Sequence, residues 1–215
     1  MPTDLPIRCS CGTLRGVARG VSPSRGNRVV CYCGDCQSFA HFLGRANEIL
    51  DARGGSDIFQ TSPARVELTQ GRERLACMRL TPKGLLRWYA DCCQTPIGNT
   101  AITPAIPFVG LIQTRLHDES ATLARDAALG PVRGHVNARA AKGRAAKGRA
   151  AGKNVRESGI VRSIARFVRL LLQARLRGDH KASLFFDART REPSVNPRVL
   201  SEAELREVER LRDAG

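Results

Sequence analysis

Aromatic residues make up only 5% of this 215-residue chain, and the apolar fraction, 42%, is slightly low for a globular protein. No apolar run approaches the roughly 18 residues that a membrane-spanning helix needs. The opening residues, Met-Pro-Thr-Asp-Leu-Pro, hold no basic stretch leading into an apolar core, so a secretory signal is not expected. These absences together predict a cytoplasmic protein. Disulfides are rare in that reducing compartment, so the eight cysteines read as metal ligands or reactive thiols.

Charge and cysteine are segregated. Residues 133–181 carry 14 Lys/Arg against 2 Asp/Glu, a net of +12 out of +15 for the whole chain. All eight cysteines fall before residue 94. From Thr13 to about Gln113 the chain reads as short strands separated by turn signals, the pattern of a mainly β fold built from small antiparallel sheets. These runs include "TLRGVARGV", "NRVVCYC", "ARVELTQG", "RLACMRL", "GLLRWYA", "TPIGNT" and "IPFVGLIQ". One helix is predicted here, starting near Asp35, with Phe39, Phe42 and Leu43 at helical spacing and Gly44 as its stop.

Four segments follow from this reading: a cysteine-bearing domain over 1–114, a connection over 115–138, a basic linker over 139–158, and a helical basic extension over 159–215. The linker opens "RAAKGRAAKGRAAGK", which has no large apolar side chain to bury and is expected to be flexible. In the extension, Ile160, Ile164, Val168, Leu171 and Leu172 share one helical face, with Arg162, Arg166, Arg169 and Arg177 largely on the other. Docking of the apolar face on the protein's own core is the first expectation; contact with an anionic membrane surface is the alternative. Ser201 and Glu204 form a capping box that opens a final helix.

The cysteines carry the chemistry. "CYCGDCQSFAHF", residues 31–42, places Cys31, Cys33 and Cys36 within six residues, and apolar packing gives no reason for such clustering. Zinc takes four soft donors in a tetrahedron, and Cys-x-Cys and Cys-x-x-Cys spacings bring sulfurs together on tight turns. With Cys36 in a first helical turn, the positive end of the helix would favour its thiolate. Cys9 and Cys11 form a second Cys-x-Cys followed by Gly12, and Cys92 and Cys93 sit in a turn closed by Thr95-Pro96. A redox pair of Cys33 with Cys36 is the competing reading, but the βαβ context of such motifs is missing. Cys77 stands alone inside "RLACMRL" and reads as a small buried hydrophobe. His41 is a candidate base or ligand, set against the commoner packed histidine.

The order C-x-C-G, then C-x-C-x-x-C leading into a helix, then a cysteine turn ending Thr-Pro, resembles the glutathione-dependent formaldehyde-activating enzyme and centromere protein V family over Ile7 to Ile112. The resemblance implies a β-tent of short antiparallel sheets with two zinc sites. It implies a structural site in which Cys9 and Cys11 join the late cysteine turn. It also implies a second site of Cys31, Cys33 and Cys36 with an open position where a glutathione sulfur is handled. The family's late motif is Phe-Cys-x-x-Cys-Gly-Thr-Pro, whereas this chain reads Tyr89-Ala90-Asp91-Cys92-Cys93-Gln94-Thr95-Pro96. Aligned on Thr-Pro, Cys93 keeps its ligand position, Ala90 stands where the other cysteine belongs, and Cys92 is the candidate substitute.

Two functions are therefore expected. One is a zinc-dependent carbon–sulfur lyase acting on an adduct of glutathione or another small thiol. The other is a non-catalytic, zinc-stabilised binding module whose basic tail contacts nucleic acid or an anionic membrane. No aromatic interleaving or base-reading motif accompanies the basic residues, so any nucleic-acid contact should be weak and independent of sequence.

Overall fold

In the computed structural model, residues 1–113, 116, 122–141 and 158–214 are described. Most of the basic linker, 142–157, lies outside them. In chain order the first elements are β1 (Thr3–Arg8), β2 (Arg15–Val21), β3 (Asn27–Cys31), α1 (Gly34–Phe42), α2 (Ala46–Ile49) and β4 (Ser56–Thr61). The strands β5 (Val66–Gln70), β6 (Leu75–Arg79), β7 (Leu86–Ala90), β8 (Thr95–Thr100) and β9 (Val109–Ile112) follow. After them come α3 (Thr122–Leu129), β10 (Gly134–Val136), α4 (Ile160–Leu176), β11 (Arg198–Val199) and α5 (Glu202–Ala214).

The fold is mainly β. One sheet has three antiparallel strands in the order β1-β2-β5, and a larger mixed sheet runs β10-β3-β4-β9-β8-β7-β6-β11. Its interior pairings are antiparallel, while β10 and β11 join its two edges in parallel. The strand pattern read from Thr13 onward leaves out β1, which contains Pro6. The structure puts Pro6 in an edge strand, where a missing N–H costs no ladder bond that a central strand would need. The pattern also leaves out β4, whose "SDIFQT" has only two large apolar residues to mark it.

Strand β7 sets the layering. All five of its residues are buried, so it has a packed face on either side. Trp88 points into a core shared with Ile7, Ala18 and Leu111, side chains drawn from both sheets. On the opposite face Tyr89 joins Phe39 of α1, Leu43 just after it, Met78, and Val208 of α5. Phe59 in the first core fits because its ring lies against Gly26, where a Cβ would stand only 1.9 Å from it.

The C-terminal residues complete these layers. Phe185 is fully buried against Trp88, with ring centroids 5.0 Å apart, and α5 lies over α1 beside the second core. The Ser201–Glu204 box is present: the Ser201 N–H donates to Glu204 Oε2 at 2.8 Å, and the Glu204 N–H donates to Ser201 Oγ at 3.3 Å. Cys77 is buried in β6, as a lone apolar-facing thiol should be, and burial pushes its thiol up to about 12.

Helix α4 departs from the first expectation. Ser163 and Ala174 face the protein, while Ile164, Val168 and Leu172 face solvent. Polar anchors fix this rotation. Asn27 Nδ2 donates to Ser163 Oγ at 2.9 Å, and the Arg166 guanidinium donates to the Gly26 carbonyl at 2.7 Å and to the Pro23 carbonyl. The expected docking face is thus largely the exposed one.

Phe185→Ala should cost about 3–5 kcal/mol, the usual range for emptying a buried aromatic site. Urea unfolding checks this, and a loss below about 1 kcal/mol would mean that the segment around Phe185 does not contribute to the core.

Candidate metal centres

Cys9 and Cys11 occupy the turn from β1 to β2. The turn closes through Gly12 N–H to the Cys9 carbonyl at 2.9 Å, and Gly12 takes φ +77°, which a side chain would resist. The Leu14 N–H then donates to Cys9 Sγ at 3.2 Å, so backbone already points at the sulfur. Cys92 and Cys93 come from the tight turn between β7 and β8. That turn ends at Gln94 in the left-handed region, φ +53°, the position where the resembled motif carries glycine.

All four sulfurs lie within 4.8 Å of one another. The separations are 3.5 Å for Cys9–Cys11, 3.4 Å for Cys11–Cys92, 3.9 Å for Cys9–Cys92 and 3.8 Å for Cys92–Cys93. A tetrahedron with metal–sulfur bonds of about 2.3 Å has sulfur–sulfur edges of about 3.8 Å. The donor set therefore fits one thiophilic ion. Thr95 binds the two turns together independently of any metal. Its Oγ1 accepts from the Ser10 N–H at 3.0 Å, donates to Ser10 Oγ at 3.0 Å, and lies 3.0 Å from Cys93 Sγ. Arg45 adds two bonds to the Cys93 carbonyl, at 2.7 and 3.0 Å.

The second group is local. Cys31 ends β3, Cys33 is the N-cap of α1, and Cys36 lies in its first turn, with the Cys36 N–H donating to Cys33 Sγ at 3.4 Å. The sulfurs of Cys31 and Cys33 are 3.4 Å apart, and the three lie within 4.8 Å of one another. No fourth His, Cys, Asp or Glu atom joins them among the described residues. His41, at the far end of α1, is outside the group. Asn137, held at φ +56°, donates its amide to Cys31 Sγ at 3.6 Å. Gly34 is not needed for an unusual φ. A Cβ there would come within 3.0 Å of the Arg212 guanidinium, which α5 brings to the start of α1.

Arg87 is the group that sequence reading missed. It is 2% exposed, and its one acidic partner among the described residues is Asp35 at 3.5 Å, a side chain 61% exposed. Its guanidinium sits over the Phe39 ring, 5.4 Å from the centroid. A buried cation so weakly paired is costly unless other negative charge lies nearby. Three thiolates on a divalent ion leave a net negative charge, and Arg87 draws the Cys36 thiol toward ionisation. The one hint in the sequence was a lone charge inside the apolar run "LRWYA".

The metal-free thiols differ in acidity. A hydrogen bond with Thr13 brings Cys11 down to about 6, whereas desolvation drives Cys92 up to about 12 and also raises Cys9. Burial opposes ionisation of Cys93 too, but hydrogen bonding to the Thr95 hydroxyl and the Cys11 backbone lowers it overall. In the second group a hydrogen bond to Cys31 and burial push Cys36 up to about 11. Cys33 also reaches about 11: its bond with Cys31 lowers it, but Cys36 and burial outweigh that.

Residues 1–188 match a family model described as a family of unknown function (DUF6151). The chain belongs to this family. The matched span includes both cysteine groups, Arg87 and Phe185, and stops before α5. No curated protein matches the chain.

Metal uptake must displace protons from the raised thiols, so affinity should increase with pH through the neutral range. Competition with a chromophoric chelator at about pH 6 and about pH 8 measures this, and the higher pH should give the tighter binding.

Proposed function

We propose that the chain is a zinc protein with one structural site and one site that accepts an exogenous thiol, and that the second site supports carbon–sulfur lyase chemistry on an adduct of glutathione or another small thiol. The observation that carries this reading is the difference in donor number. Four sulfurs close the first group, and three form the second with no fourth protein donor among the described residues. Sulfur-only donor sets favour zinc over harder cations. The order of cysteine motifs, which resembles that of the glutathione-dependent formaldehyde-activating enzyme and centromere protein V family, supports the same reading.

Cys31, Cys33 and Cys36 would hold the second ion. Zinc there would supply a Lewis-acidic position for one more sulfur, a weaker acidifier of water than a site of three histidines. Cys33, as helix cap, fixes the first turn of α1 and so the place of Cys36. Asn137 orients Cys31, and Arg87 offsets the surplus negative charge from behind. Arg212 is paired with Asp213 through Nε and Nη2, and its Nη1 reaches Gly34 and Ser38, where a carboxylate of a glutathione-like ligand would find a partner.

Two substitutions test the reading. Cys11→Ser should lose about one zinc per chain and melt at a markedly lower temperature, because structural zinc supplies folding free energy. Cys33→Ser should melt closer to wild type and lose glutathione binding. Zinc content, melting temperature and glutathione affinity are measured for both beside wild type. If Cys33→Ser unfolds the protein while Cys11→Ser leaves it intact, the two roles are reversed. If wild type binds no glutathione, or Cys33→Ser binds it unchanged, the thiol reading fails.

A further inference from the structure

Helix α4 is laid on the protein with its large apolar side chains outward. Val161 is 81% exposed, Ile164 56%, Val168 46%, Leu172 59% and Leu176 88%, while the positions turned inward include Ser163 and Ala174. At 100° per residue these five side chains share an arc of about 120° along a 17-residue helix about 25 Å long, and the one charged side chain within that arc, Arg175, donates to the Ala105 carbonyl at 2.7 Å. Water penalises such a stripe, and single domains rarely leave a contiguous one bare without using it. Its rotation is held by the Asn27–Ser163 and Arg166 hydrogen bonds, so the stripe cannot simply roll inward.

The charges around the stripe choose the partner. Arg162 and Arg169 are exposed and lie along one edge of it. In the sequence, residues 133–181 carry 14 Lys/Arg against 2 Asp/Glu. A second copy of this chain would bring like charge against like charge along the seam. Nucleic acid would answer the charge but has no use for five exposed aliphatic side chains. An anionic lipid surface answers both, because the apolar stripe enters the acyl boundary while the arginines meet the headgroups. No helix among the described residues is long and apolar enough to cross a membrane, so α4 would lie in the plane of the interface.

We propose that the outward face of α4 is a docking surface for anionic membranes, with Val161, Ile164, Val168, Leu172 and Leu176 inserting and Arg162 and Arg169 contacting the headgroups. This is independent of the metal sites. The test is sedimentation of the full chain with vesicles of phosphatidylcholine plus phosphatidylserine and with vesicles of phosphatidylcholine alone. Wild type should sediment with the first and much less with the second. Val168→Asp with Leu172→Asp changes only exposed positions, should leave the melting temperature unchanged, and should weaken vesicle binding by at least about tenfold. In a separate variant, Leu176→Trp, tryptophan emission should move to the blue on adding the anionic vesicles, because the only natural tryptophan, Trp88, is fully buried. The proposal is overturned if wild type stays in solution or the double variant binds as tightly as wild type. It is also overturned if Leu176→Trp emission does not move, or if duplex DNA is bound in preference to vesicles. Conversion of a wild-type dimer to a monomer by the double variant would likewise overturn it, since the stripe would then cover a second copy.

Discussion

The contact between the β1–β2 turn and the β7–β8 turn is the constraint on which the arrangement of the two sheets depends. Cys9 and Cys92 are 83 positions apart in the chain, yet their sulfurs lie 3.9 Å from each other. The two turns belong to different sheets, so holding them together fixes the angle at which the sheets enclose Trp88, Ile7 and Leu111. Thr95 makes this contact partly self-sufficient, because its hydroxyl satisfies groups on both turns. A metal would add strength to a geometry the backbone has already prepared, which keeps the entropy lost on binding small.

The second cysteine group differs in kind. It joins the end of a strand to the start of the helix that follows it, so it closes almost no loop and has little leverage on the fold. Its surroundings come from distant segments: Arg87 from β7, Asn137 from beyond β10, and Arg212 from α5. A site of low structural leverage with a composite wall suits recognition better than reinforcement. Arg87 also couples the site to the core, since the strand that carries it places Trp88 on the opposite face.

Much of the fold was legible because alternation and turn residues are local signals. Apart from β4, the strands from Arg15 to Ile112, the helix at Gly34–Phe42 and the Ser201 cap follow from such patterns. What failed was whatever depends on the partner. Pro6 is tolerated in β1 because that strand lies at an edge, and β10 and β11 are three and two residues long and form through pairing alone. Spacing marked the cysteine groups, but whether Cys92 or Cys93 faces Cys9 could not be read from it. In the structure both sulfurs join those of Cys9 and Cys11. In α4 the pattern identified an apolar face and could not tell which side of the helix the protein would occupy. Hydrogen bonds from Asn27 and Arg166 decided that.

Phe185 gives the molecule an order of assembly. During synthesis both cysteine groups leave the ribosome long before residue 185 does. The two turns can meet, and the sheets can begin to pair, while the space against Trp88 is still open. Closure of that space waits for Phe185, 97 positions downstream of Trp88, a distance that makes the last step slow to find. Until then the nascent chain presents an unfinished apolar cleft, the kind of surface that chaperones hold. Premature termination between β9 and Phe185 would therefore release a chain with every thiol in place and no means of closing its interior.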